Sequence, residues 1–408
     1  MRANTPLWSF REGLSPSAIS ISFDGKFTGV GSKSGLVLLN SNGKSVWTNN
    51  KIRRVQDLSI STKTGKLSVA SGQKVIYLID KKGEILWHRE LQGSALSTSI
   101  SSNGNVIAVG TDIGRLIVFN GKGKMLWEEH LSNSDFPVNS VDVSSNGQFI
   151  LCGTDYSRLY LYDLKGEILW SKETVGEVLQ TCISSNGDYV GYLTSNGTFS
   201  FGVKSSRILW EQSFAKQPVW IDITQTADFV TIGETDSKVT LFNKTGRKVW
   251  GFRPRNGQIG VMASGGGFVL LAGSNEVLKY SLEGYLKRLL VHCRKRIEQS
   301  TSENLDTTSA RKFFDLASSD LDQSNHLDFL INIQKARRSA REARVIDSDM
   351  TPSERRLERN EFDTNLEVSS EDNEGELMSK LIQLAEMRES GILSEDEFIM
   401  AKSKLLRL

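Results

Sequence analysis

The chain has 408 residues, of which 38% are apolar and 24% charged, and a formal net charge of +2. Residues 1–284 hold 30 Lys and Arg against 24 acids and residues 285–408 hold 20 against 24, so neither part shows the one-sided charge of a polyanion-binding protein. No run of eighteen apolar residues occurs, no charged leader with an apolar core opens the chain, and Cys152, Cys182 and Cys293 form no close pair. These features give no support to a membrane-spanning helix, an export signal, a disulfide framework or a thiolate metal site, and predict a soluble, cytoplasmic protein.

In chain order, TPLWSFREG at residues 5–13 reads as a strand with nothing before it to pair with. From there the sequence repeats. Trp8, Trp47, Trp87, Trp127, Trp170, Trp210 and Trp250 lie 39, 40, 40, 43, 40 and 40 residues apart. The last six close phrases such as YLIDKKGEILW and YLYDLKGEILW, in which an alternating apolar run, a Gly-bearing turn and a second short run make a hairpin. Ahead of these hairpins lie further pairs of runs, as in SVDVSSNGQFILCG, giving four short strands per repeat. A period near 40 with four strands predicts a β-propeller blade, with the Trp side chains as structural residues packed between blades.

Residues 258–284 spell three strands and stop without a Trp. The strand around Trp8 supplies the missing fourth, which predicts an all-β seven-bladed propeller over residues 1–284, closed by both ends of the folded body. Asp24-Gly25, Asn103-Gly104, Asn146-Gly147 and Asn186-Gly187 mark tight turns. Pro16, Pro137, Pro218 and Pro254 fall in the connections between blades, where no ladder hydrogen bond is lost.

From Tyr285 the period changes. Leu286, Leu289, Leu290, Cys293 and Ile297 predict an amphipathic helix, opening an α-helical extension over 285–350 with Phe313, Phe314, Leu316, Leu327, Leu330 and Ile331 as later apolar anchors. KARRSAREARV, with Lys335, Arg337, Arg338, Arg341 and Arg344, reads as an exposed helix making i to i+4 pairs, nucleic-acid binding through 335–344 being the lesser alternative. The run from Asp320 has Asn325 and Ile331 where a calcium loop needs Gly and an acidic ligand, so no metal is expected there. Residues 351–375 form an acidic linker rich in Glu and Asp. Residues 376–408 read as a helical hairpin with Gly391 in the turn and a Ser394/Glu397 capping box. Too short to bury its own apolar face, that hairpin is expected to pair with a copy of itself or dock elsewhere through Leu377, Leu381, Leu384, Phe398 and Leu405.

The phrases Asp80-Lys81-Lys82-Gly83 to Trp87 and Asp163-Leu164-Lys165-Gly166 to Trp170 resemble the pyrroloquinoline-quinone-like propeller repeat, and more loosely the WD40 repeat. The fifth hairpin departs from the pattern, with Val203 and Ser206 where Asp and Gly would stand. Residues Leu377 to Met387, Gly391-Ile392, Glu395 to Phe398 and Lys404 to Leu406 are similar to the short C-terminal domain called SHOCT, which implies oligomerisation or localisation. The quinone enzymes sharing the propeller repeat are secreted, have eight blades, hold calcium over the cofactor and often carry an adjacent Cys pair. This chain offers seven blades, no export signal and no close cysteines.

His88, His130, His292 and His326 are scattered, and no nucleophile, zinc or phosphate-binding pattern appears. Asp112 and Asp155 recur at one turn position, which reads as turn chemistry. No catalytic residue, cofactor or metal is therefore predicted. The expected function is a non-catalytic interaction scaffold with protein partners, the alternatives being a quinone-dependent or other small-molecule enzyme and a nucleic-acid-associated protein. The candidate docking rim carries Arg11, Lys51, Arg53, Arg54, Lys216, Arg253 and Arg255 beside the acids Asp112, Asp155, Glu234, Asp236 and Glu276. Mutual salt bridges among these charges are the competing reading.

Overall fold

The computed structural model describes residues 6–343 except 12–14, 23, 132–134, 255–258, 263–266, 274, 282 and 324–325. Among the described residues, alternating apolar runs punctuated by tight turns form 28 strands, paired as seven antiparallel sheets of four. Six sheets use consecutive strands. The seventh places Trp8–Phe10 outside the three strands Ile259–Met262, Phe268–Ala272 and Val277–Ser281, pairing Trp8 with Lys279 and Phe10 with Val277. The fold is a seven-bladed β-propeller whose last blade is completed by the N-terminal strand.

Two register shifts recur and shape every complete blade. The inner strands of the first six blades are Pro16–Ile21, Val55–Ile60, Ala95–Ile100, Val138–Val143, Val178–Ile183 and Pro218–Ile223, each bulged at its second residue. Pro16 and Pro218 thus begin strands, where an absent N–H is tolerated. The outer strands are bulged at the residue before each Trp, namely Val46, Leu86, Leu126, Leu169, Leu209 and Val249. Bulges add local twist and spoil the regular edge that a second sheet would need for pairing.

The Trp repeat fastens each blade to the next. Trp8, Trp47, Trp87, Trp127 and Trp210 donate their indole N–H to the carbonyls of Ser41, Lys81, Gly121, Leu164 and Lys244 at 2.9–3.2 Å. These carbonyls lie in the third-to-fourth-strand turn of the following blade, and the indoles pack on the turn glycines Gly43, Gly83, Gly123, Gly166 and Gly246, all at positive φ. Trp170 makes the same bond to Lys204, in the one turn where Ser206 takes the left-handed position at φ 66. The second and third strands of each blade are almost wholly buried and build core clusters shared by neighbouring blades.

The chain divides into two units, Met1–Tyr285 and Leu286–Leu408. Helices α1 (Glu283–Ser302), α2 (Thr308–Asp322) and α3 (His326–Glu342) follow the last strand. In the second unit, Phe313, Phe314, Ala317 and Leu321 of α2 and Phe329, Ile333, Ala336 and Ala340 of α3 are buried, and Ser300 donates to the Ala340 carbonyl at 3.1 Å. Leu316, expected from its periodicity to be an anchor, is instead exposed, because the buried stripe of α2 runs through Phe313, Phe314 and Ala317. Cys293 and Ile297 are buried on α1 as the periodicity requires. The acidic linker and the C-terminal hairpin, with Leu377, Leu381, Leu384, Phe398 and Leu405, lie outside the described residues.

Candidate functional site

An inner strand is an edge strand, so one row of its N–H and C=O groups faces away from its own sheet and needs partners. In this propeller the preceding blade supplies many of them. Side chains at the third strand position accept from the fourth-position N–H of the next blade: Asp57 from Thr98 at 2.8 Å, Ser140 from Thr181 at 3.0 Å and Gln180 from Ile221 at 3.0 Å. Side chains at the fifth position accept from the sixth-position N–H: Ser20 from Ile60, Ser99 from Val143 and Asp142 from Ile183, at 2.8–3.2 Å. Second-position residues complete the pattern by donating to carbonyls, Ser17 to Val55 and Asn139 to Val178.

Ala18 and Cys182 occupy positions where the neighbouring blade would look for an acceptor. The receiving strands compensate from within. Leu58 N–H is held by Asp57 and Ile223 N–H by Asp222, each at 2.8 Å. This accounting explains why carboxylates appear on otherwise apolar inner strands: Asp57 serves two blades at once, and Asp142 also accepts the Ser99 hydroxyl at 2.9 Å.

The same side chains line a central cavity of about 270 Å³, with Asp57, Asp142, Gln180, Cys182 and Asp222 among its walls. Asp57 and Asp142 look onto this cavity yet sit deep among the inner strands. Burial pushes Asp57 up to about 6 against its backbone hydrogen bonds, and pushes Asp142 up to about 7 with the charge of Asp222 adding to it. Cys182, between Asp142 and Asp222 in the blade series, is held well above the ordinary thiol range by burial and by those two carboxylates, so it stays a thiol and is a poor nucleophile. Among the described residues no cluster of three or more His, Cys, Asp or Glu side chains could hold a metal ion. Asp57 and Asp142 are engaged in holding neighbouring blades together, and Asp222 in holding its own strand.

The rim is a different surface. In the third to sixth blades the second-to-third-strand turn is bonded to the connection entering its own blade: Asp112 N–H to Ser94, Asp155 to Pro137, Ser195 to Glu177 and Thr235 to Gln217, at 2.8–3.0 Å. Turns and connections therefore share one face. Asp112 spends a side-chain oxygen on the Ser94 N–H at 2.8 Å and Asp155 accepts from Asn139 at 3.2 Å, so both reach across to a neighbouring segment where the sequence suggested closure of their own turn. Arg11 pairs with Glu276 at 2.7 Å and Arg253 with Asp236 at 2.6 Å, so these two rim cations are neutralised internally. Lys51, Arg53, Arg54 and Lys216 are exposed, and Arg255 lies outside the described residues.

In the basic helix, Lys335 lies over the Phe313 ring at 5.5 Å and Arg338 pairs with Glu342 at 3.0 Å. Arg344 lies outside the described residues. The inner-strand acceptors were not visible as a motif in the sequence. The signal was present as single polar residues, Asp57, Gln180 and Asp222, breaking apolar runs at fixed strand positions.

A profile of the PQQ-like family, described as outer membrane protein assembly factor BamB, matches residues 32–185. That stretch runs from the end of the first blade's second strand through the inner strand of the fifth blade. No curated protein matches the chain in sequence. Among solved structures, the β-propeller domain of Myceliophteria thermophila Cps50 (Swd1) is similar at 11% identity and a TM-score of 0.59, covering 68% of this chain and 99% of that one. A chain of the mitotic checkpoint complex is similar at 11% identity and a TM-score of 0.60, covering 69% of this chain and 93% of its own. At such identity the likeness is one of fold. Among the described residues, no helix is long and apolar enough to cross a membrane.

Proposed function

We propose that this chain is a non-catalytic, cytoplasmic protein-interaction platform. The propeller rim binds a protein partner, and the SHOCT-like segment 376–408 multiplies or localises the complex by self-association. The observation that carries this reading is the contrast between the two surfaces. Asp57 and Asp142 in the cavity wall are committed to blade-to-blade hydrogen bonds, whereas the rim presents exposed cations on a rigid scaffold. The similar solved propellers are those of Swd1 and of a mitotic checkpoint complex, and a propeller working within an assembly is in keeping with the latter.

The test is a native pull-down with mass spectrometry comparing full-length bait with bait ending at Gly284. Partners retained by the shorter bait support the rim as the binding surface. Their loss moves the function to the helical segment. The PQQ-like repeat makes a quinone-dependent enzyme the specific rival: dye reduction gained on adding the quinone and calcium would overturn the non-catalytic reading.

A further inference from the structure

The rim charge is not spread evenly. The segments 31–36 (GSKSGL), 49–56 (NNKIRRVQ) and 71–75 (SGQKV) contribute Lys33, Lys51, Arg53, Arg54 and Lys74 and no acid. Backbone bonds bring them together. Arg54 N–H donates to the Lys33 carbonyl at 3.1 Å, Gly72 N–H to the Arg54 carbonyl at 2.9 Å, and the Ser71 hydroxyl to the Arg53 carbonyl at 2.7 Å. Lys74 follows in the same turn, its N–H bonded to Ser71 at 3.1 Å.

All five side chains are exposed, and no carboxylate among the described residues pairs with any of them. Elsewhere on this face the chain neutralises several of its cations, as with Arg11–Glu276, Arg253–Asp236 and Lys238–Glu234, and leaves Lys216 as a single exposed charge. Lys74 is also held at φ 64, at the turn position that the third and fifth blades fill with Gly114 and Gly197, and Arg54 is held at φ 50. Two cationic side chains thus occupy backbone positions that glycine would fill with less strain.

Resting on the platform reading above, we propose that this corner between the first two blades binds a carboxylate-rich polypeptide segment. Guanidinium forks at Arg53 and Arg54 suit bidentate contact with carboxylates, and the three lysines add point charges around them. The three segments contain no Phe, Tyr, Trp or His, so they lack the stacking platform that single-stranded nucleic acid uses. With a net charge of only +2, the chain has no general field to gather polyanions.

The experiment measures fluorescence anisotropy of a labelled Asp/Glu-rich peptide against the full-length protein, with single-stranded DNA of matched charge as competitor. The variants are Arg53→Glu/Lys74→Glu and, with the same change in net charge at two exposed third-to-fourth-strand turns away from the rim, Lys122→Glu/Lys165→Glu, each checked for an unchanged melting profile. The expected result is peptide binding that weakens as salt rises, falls at least tenfold in the corner variant and changes less than twofold in the other. Equal loss in both variants, no loss in either, or DNA competing as well as unlabelled peptide would overturn the proposal. If the corner variant still captures its partners in the pull-down, the platform reading stands and only this corner is wrong.

Discussion

Asp57 and Asp142 hold similar places in the inner wall, but their bonding predicts opposite responses to amidation. Asp142 receives the Ser99 hydroxyl on one oxygen and the Ile183 N–H on the other. An Asn can keep its oxygen on Ile183 and turn its NH2 toward the Ser99 hydroxyl, which accepts as readily as it donates. Asp57 receives backbone N–H groups on both oxygens, from Leu58 and Thr98, so either orientation of an Asn sets an NH2 against a donor. Asp57→Asn should cost about 1–3 kcal/mol at pH 8, where the carboxylate, with its folded pKa of about 6, is ionised and accepts both N–H groups. The pH dependence follows from the direction of the shift. Asp142 has a folded pKa of about 7, above the ordinary 3.8, so the stability it contributes is fully present below about pH 4 and is lost as pH rises through 7. Asp142→Asn has no proton to lose. Its melting temperature relative to wild type should therefore rise between pH 5 and pH 8, by about 2 °C for about 1 kcal/mol at a site partly open to the channel. A difference that stays flat over that range would show that the carboxyl does not titrate there.

At the scale of the element, the hairpin turn and its Trp act as one fastening. Gly123 has a φ of 76, and a Cβ built on it would lie 2.7 Å from the Trp87 ring. Gly65 has a comparable φ of 67, but a Cβ there meets only the Lys81 side chain at 3.5 Å. Alanine at Gly65 should cost about 1 kcal/mol for the left-handed backbone alone. Alanine at Gly123 should cost that and about 1–3 kcal/mol more for the overlap with the indole. Urea unfolding of the two variants side by side measures the fastening; equal destabilisation would mean the Trp–turn contact contributes little. The Trp period, the turn glycines and the early first strand were all legible in the sequence, because each is a local pattern repeated at fixed spacing. The inner-strand acceptors were not, because Asp57 and Asp142 are read through a neighbouring blade some 41 residues away. Salt bridges within the rim were one of the two readings of its charges, but which acid meets Arg11 or Arg253 was not legible, because Glu276 and Asp236 are brought to them by closure of the ring and by turn geometry.

For the whole molecule, closure is the property that no single blade carries. Phe10 belongs to a buried cluster with Ile19, Ile21, Val30, Leu270 and Val277, so the seam between the last and first blades has a core of its own. Lys279 strengthens that seam, donating its Nζ to the Gly25 carbonyl across it while lying 4.2 Å from the centre of the Phe268 ring. Deleting residues 1–11 removes the outer strand, the buried Phe10 ring and the Trp8 bond to Ser41. Losing two aromatic side chains from such a site costs on the order of 5 kcal/mol or more. At about 2 °C per kcal/mol for a domain of this size, the melting temperature should drop by roughly 10 °C. The deletion also bares the edge of Val277–Ser281, so light scattering should rise with protein concentration. A synthetic peptide of residues 1–11 added in trans should recover part of the loss by re-forming the Trp8–Lys279 to Phe10–Val277 register. If the truncated chain melts like the intact one, the seam is held by the blade cores alone and the N-terminal strand is dispensable for closure.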